Sequence, residues 1–139
     1  SPSKGEDAKS LGAHEVFLST DEEQMATHAG TFDLLLNTVP VAHDINPYLP
    51  LLKIDKTMVL LGATPVDLHS MSVVFGRKNV AGSLIGGIKE TQEMLDFCAE
   101  HNIVSDIEMI NMENINEAWD RVMKSDVRYR FVIDMESLR

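Results

Sequence analysis

One cysteine, Cys98, is all that 139 residues contain. An intramolecular disulfide is excluded, and a reducing compartment suits such a chain. Positive charge is scarce too: 12 Lys and Arg stand against 22 Asp and Glu, a formal net charge of −10. A phosphate backbone or an anionic membrane needs a concentrated basic face, so nucleic acid and membrane surfaces are excluded as partners, although a local basic spot can still hold one small anion. No apolar run approaches the length of a membrane span, and no charged-then-apolar leader precedes Ser1. The expected location is the cytoplasm. What is present is ordinary: 44% hydrophobic and 24% charged residues, enough for one domain with a real core and with no length argument for two.

Several chemical signatures are also missing. His14, His28, His43, His69 and His101 show no i, i+4 pairing on a convincing helix, and no spacing resembles a zinc site. There is no G-x-S-x-G elbow, and Cys98 falls on the apolar stripe of a helix, where a buried, inert thiol is expected. No catalytic residue and no metal ligand is therefore assigned. The "GSLIGG" run at 82–87 has neither the G-x-G-x-x-G nor the G-x-x-x-x-G-K-[ST] spacing. Its glycines read as allowing a close backbone approach at a strand end.

The organisation is clearer. Short apolar runs recur at "EVFLS" 15–19, "DLLLNTV" 33–39, "TMVLLGA" 57–63 and "NVAGSLIGG" 79–87. The second and third are almost unbroken, as expected of parallel strands covered on both faces. Between the first two lies "TDEEQMATHAG", with Thr20 and Glu23 reading as a capping box and Gly30 as a stop. This is strand–helix–strand with short loops. Glu6 to Leu11 reads as a short helix stopped by Gly12. Pro47 and Pro50 restrict "HDINPYLPLLK" to a first turn or a broken helix. Beyond residue 87, Ile88, Thr91, Met94, Leu95 and Cys98 share one face of an amphipathic helix. "IEMINM" 107–112 alternates as a strand, and Asn114 with Glu117 forms a second expected capping box. Ile115, Ala118, Trp119, Val122 and Met123 make the cleanest helical stripe, and "RYRFVIDM" closes as a strand.

"SPSK" opens the chain as the turn after a strand, where serine and lysine donors can hold one phosphate group. In "DVRYR", Arg128 and Arg130 lie two apart before a strand and splay, so that one can clamp a phosphate while a solvated arginine is the commoner outcome.

At "LLNTVPVAHDINPYLPLLKIDKTMVLLGATP", "FGRKNVAGSLIGGIKETQEMLDFC" and "INEAWDRVMKSDVRYRFVIDM" the sequence resembles the C-terminal part of the zinc-dependent medium-chain alcohol dehydrogenases, in the cinnamyl-alcohol-dehydrogenase-like, NADP-preferring branch. The likeness covers nearly the whole chain, and Asn37 departs from the Asp usual before Thr-Val-Pro. It implies an α/β fold: a partial Rossmann domain over 1–87 that retains strands 3 to 6 of a doubly wound parallel sheet, then a helix-strand-helix-strand segment over 88–139 returning to a GroES-like catalytic domain. It implies that Ser1, Ser3 and Lys4 hold the NADP 2′-phosphate, where basic and hydroxyl residues replace the acidic residue that reads NAD. Thr38 and Val39 would lie beside the riboses, Gly62 and Ala63 near the nicotinamide, and Ser83, Leu84 and Ile85 would present backbone groups to the carboxamide. Gly82, Gly86 and Gly87 would keep that wall thin, and Arg128 would approach the pyrophosphate. The cofactors implied are NADP and a zinc ion held by upstream residues, with no ligand in this chain. The implied partners are a second copy, pairing through the 79–86 strand edge, and the upstream half.

The implied function is the C-terminal part of an NADP-dependent zinc alcohol dehydrogenase acting on aldehydes or primary alcohols, supplying cofactor walls and a dimer edge and inactive alone. The alternative is a stand-alone nucleotide-binding or dimerisation module without catalysis. A zinc-independent quinone reductase of similar fold is disfavoured by "GSLIGGIKE" and "DVRYRFV". In the 3-2-1-4-5-6 order, strand 3 pairs only with strand 2, so "EVFLS" should lack a neighbour and the edge of strand 4 should be bare.

Overall fold

Three of the apolar runs form one parallel sheet in the computed structural model, which describes residues 4–138. Strands β1 (Phe32–Asn37), β2 (Leu52–Leu60) and β3 (Asn79–Gly82) lie in the order β1-β2-β3. Parallel neighbours need crossovers. The first contains a 3-10 helix, Asn46–Leu51, with Pro47 in its first turn, where a missing N–H is harmless, and Pro50 further in to stop it growing. The second contains helix α3 (Ser70–Gly76). Strand β2 starts five residues before the expected 57 because its first half is bulged: Phe32 pairs with Leu52, but Leu34 pairs with Thr57. Asp55, at φ 62, makes the corner, and Arg77 forks onto its two carboxylate oxygens at 2.8 and 2.7 Å. Strand β3 leaves the ladder after Gly82, five residues short of the expected 87.

Residues 15–19 form no strand. A lone segment gains nothing from an extended backbone when no neighbouring edge receives its N–H and C=O groups. It is tied locally instead: the Leu18 N–H donates to Gln24 Oε1 at 3.0 Å, and the Phe17 ring stacks on His28 at 4.2 Å. The cap of α2 (Glu22–Thr27) is Asp21 rather than the expected Thr20, its Oδ1 accepting from the Gln24 N–H at 3.0 Å. A carboxylate is a stronger acceptor than a hydroxyl, and one residue of sequence separates the two choices. Gly12, at φ 100, ends α1 (Gly5–Ser10) with its N–H donating to the Lys9 carbonyl at 3.0 Å, whereas Gly30, at φ 64, lies beyond the end of α2 and donates to the Pro50 carbonyl at 2.9 Å.

Ile45, Leu49, Leu52 and Met58 are fully buried, packed by Phe32, Leu35, Val73 and Val80. This core lies between one face of the sheet and the crossover elements. The other face is bare: Leu34 is 52% and Leu36 60% exposed. Covering on both faces was the expectation; here one is covered, because both crossover elements contribute their apolar side chains to a single core.

A second compact unit begins at Gly86. Helix α4 (Ile88–Glu100) starts where the Gly87 N–H donates to Glu90 Oε2 at 2.8 Å. Strand β4 (Glu108–Asn111) pairs in parallel with β5 (Phe131–Asp134) across helix α5 (Ile115–Met123). Asn114 precedes α5 but its side chain makes no capping bond, since the 3-10 turn Met112–Asn114 delivers it at φ −90, ψ 6 rather than in the extended conformation an N-cap needs. Arg121 draws the unit together: it donates to Glu108 at 2.8 Å and Asp126 at 3.1 Å and lies 4.8 Å over the Phe131 ring. Most of each helix's apolar stripe nonetheless faces outward, with Trp119 66% exposed, although Ala118 is buried. Cys98, expected buried, is half-exposed with Sγ 3.7 Å from Met94 Sδ, because nothing among the described residues covers that stripe.

Candidate functional site

Parallel strands deliver all their carboxyl ends to one edge of a sheet, and ligands of open α/β folds bind at that edge. Thr38 and Val39 follow β1, Gly62 and Ala63 follow β2, and Ser83, Leu84 and Ile85 follow β3. The turns are stitched together, with the Leu61 N–H donating to the Asn37 carbonyl at 3.0 Å and the Ser83 N–H to the Leu60 carbonyl at 3.1 Å. Leu60, Gly62, Ala63, Gly82, Ser83 and Leu84 line an open cavity of about 310 Å³. A Cβ on Gly62 would stand 2.4 Å from the Val39 carbonyl oxygen, so glycine is what lets the β1 and β2 turns meet. A Cβ on Gly82 would meet nothing within 4 Å, and at Gly86 and Gly87 it would meet only the Glu90 side chain, so the close backbone approach expected of these glycines is not found.

The end of β1 carries a polar cluster that sequence reasoning did not assign. Asn37 Oδ1 accepts from the Val39 N–H at 3.1 Å, its amide nitrogen lies 3.0 Å from His43 Nε2, and His43 Nδ1 lies 2.8 Å from the Val41 carbonyl. An Asx residue followed two positions on by a free backbone N–H is the local signal that could have found it. Asn37, Thr38, Val39 and His43 line a second cavity of about 170 Å³ together with apolar residues. Beyond it, Asn46 fastens the loop 64–69, donating to the Asp67 carbonyl at 2.9 Å and accepting from the His69 N–H at 2.8 Å. The backbone and side-chain N–H groups of Asn46 also hold the Asp44 carboxyl below its ordinary range.

Six assigned residues thus gather at the carboxyl edge: Thr38, Val39, Gly62, Ala63, Ser83 and Leu84. Ile85 follows them, almost wholly exposed. Ser1 and Ser3 lie outside the described residues, and Lys4 is exposed at the start of α1. Arg128 belongs to the second unit, where its backbone N–H donates to Glu108 at 2.8 Å. Among the described residues no three His, Cys, Asp or Glu side chains could hold a metal ion. The described residues therefore do not fit a zinc centre. No described helix is long and apolar enough to cross a membrane.

A parallel sheet whose turns open along one carboxyl edge is the C-terminal part of a Rossmann-type α/β fold. Residues 1–100 match the family model described as zinc-binding dehydrogenase, and the chain belongs to that family, its likeness being to the C-terminal part of the cinnamyl-alcohol-dehydrogenase-like medium-chain enzymes. It is 53% identical over 142 residues to the aldehyde reductase YahK of Escherichia coli, covering 99% of this chain and 40% of that protein. A solved cinnamyl alcohol dehydrogenase from Sorghum bicolor superposes with a TM-score of 0.88 at 43% identity, covering 96% of this chain and 39% of that one. A cinnamyl alcohol dehydrogenase from Helicobacter pylori, solved with NADP(H), gives a TM-score of 0.77 at 35% identity, covering 98% and 39%. The chain spans about two fifths of the length of these relatives.

Proposed function

We propose that this chain is the C-terminal part of an NADP-dependent alcohol dehydrogenase that moves hydride between the cofactor and an aldehyde or primary alcohol in the cytoplasm. The observation that carries this reading is the gathering of the turns after β1, β2 and β3 at one carboxyl edge, lined by Gly62, Ala63, Gly82 and Ser83. The Helicobacter pylori relative, which holds NADP(H), supports the choice of cofactor. NADPH supplies the hydride when bound. Thr38 and Val39 would lie beside its riboses, Gly62 and Ala63 would flank the nicotinamide, and Ser83, Leu84 and Ile85 would offer backbone groups to its carboxamide. Ser1, Ser3 and Lys4 would hold its 2′-phosphate.

The domain boundary follows residue 87, with 88–139 returning to the catalytic domain. The zinc site belongs to residues outside this chain, so the chain alone is inactive. The bare sheet face and the outward stripes of α4 and α5 favour further protein covering them, either the upstream half or a second copy paired along the 79–86 edge. The test is aldehyde-dependent oxidation of NADPH, followed by absorbance. The chain alone should give none, and assembly with a polypeptide bearing the zinc ligands should restore it with NADPH in preference to NADH. Turnover by the rigorously purified chain alone, or an assembly that prefers NADH, would overturn the reading.

A further inference from the structure

The Asn37–His43 cluster has only one consistent arrangement of protons. A backbone N–H can only donate, so the side-chain atom of Asn37 facing Val39 N at 3.1 Å is its carbonyl oxygen. The amide nitrogen then faces His43 Nε2 at 3.0 Å, and an amide nitrogen can only donate. At the far side of the ring, the Val41 carbonyl can only accept, so the ring proton sits on Nδ1, 2.8 Å away. Both ends of the chain of bonds demand the same answer: Nε2 bare, Nδ1 protonated, the imidazole neutral.

These bonds close a short stretch of backbone on itself. Asn37 ends β1, and its own carbonyl is already taken by the Leu61 N–H of the neighbouring strand end at 3.0 Å. The same residue thus binds β2 through its main chain, Val39 through Oδ1 and His43 through Nδ2. From the opposite side the Val39 carbonyl rests against Gly62 with no room for a Cβ. We propose that Asn37 is a positioning residue: it locks His43 as the neutral Nδ1–H tautomer and so closes residues 37–43 into an arch that presents Thr38 and Val39 at the carboxyl edge of the sheet. That this arch serves a nucleotide rests on the function proposed above; the arch itself does not. Aspartate at 37 would keep the bond from Val39 but reverse the polarity toward the ring, since a carboxylate only accepts and Nε2 would have to carry a proton.

The experiment is long-range proton–nitrogen correlation spectroscopy of His43 at about pH 8, where a free imidazole is neutral, with hydrogen exchange of the Val39 amide read on the same labelled chain. Expected for the parent is a protonated Nδ1 with a bare Nε2 and a protected Val39 amide. In Asn37→Asp, Nε2 becomes protonated while Val39 stays protected. In Asn37→Ala, the Val39 amide exchanges roughly tenfold faster, as expected for one lost hydrogen bond. A protonated Nε2 in the parent, an unchanged ring in Asn37→Asp, or an unchanged Val39 amide in Asn37→Ala would each overturn the arch. Because no readout involves a cofactor, a separate NADPH titration of the same samples tests the nucleotide reading independently.

Discussion

Gly62→Ala sets two effects of opposite sign against each other. Removing a glycine stiffens the unfolded chain and, where the native backbone accepts a Cβ, stabilises by about 0.4–1 kcal/mol. Here the added Cβ would lie 2.4 Å from the Val39 oxygen, 3.2 Å from its carbonyl carbon and 3.4 Å from Pro40 Cα. All three are backbone atoms, so no flexible side chain can swing aside. Relieving the oxygen contact to an ordinary carbon–oxygen separation of roughly 3.3 Å needs a displacement near 1 Å. Overpacking of that kind costs about 1–3 kcal/mol. The clash wins, and the net loss should be about 1–2 kcal/mol. With a urea slope of about 2 kcal/mol per molar, the unfolding midpoint should fall by roughly 0.5–1 M. The displaced loop should also show as changed backbone resonances at Val39 and His43. A midpoint equal to or above the parent's would refute the claim that the β1 and β2 turns are in contact at this glycine.

Other outcomes test other parts. Asp21→Ala removes the α2 cap and should cost about 1 kcal/mol in urea unfolding, whereas Thr20→Ala should cost far less. Asp33 is held below the ordinary carboxylate range by hydrogen bonds from Lys53 and then Lys56. A depressed folded value means that its contribution is present above the unfolded value and is lost as pH falls through the folded one. The midpoint difference between parent and Asp33→Asn should therefore vanish in acid and shrink with added salt. Glu108 is lowered by the Arg128 N–H first and the Arg121 guanidinium second, so the same sign holds in the second unit. Fluorescence of Trp119, the single tryptophan, should report that Glu108→Gln flattens the acid limb of that unit's stability curve.

The parallel sheet was legible because unbroken apolar runs such as Leu34–Leu36 and Met58–Leu61 leave few alternatives, and the α4 and α5 stripes were legible from their spacing. The strand expected at 15–19 does not form, in keeping with the missing neighbour that the strand order implied for it: without a partner edge the extended backbone has nothing to bond to. Cap positions were misread by single residues: Thr20 and Asp21 both qualify by type, and Asn114 fails only through its backbone angles. Exposure was misread in the same way. Periodicity says which residues share a face, as with Cys98 and Met94, but not whether anything covers it. At the site, the glycines of "GSLIGG" meet no close backbone, the tight approach falling at Gly62 instead, and Asn37 and His43 meet only through a loop whose path the sequence does not state.

The central claim is that the carboxyl edge of this sheet is one wall of an NADP site completed by other protein. A native mass spectrum of the chain with NADPH, recorded alone and after assembly with a polypeptide bearing the upstream half, tests it most directly. The expected result is an assembly that carries zinc and retains NADPH, with loss of NADPH when the upstream half is absent. An assembly that forms and holds zinc but retains no NADPH would contradict it.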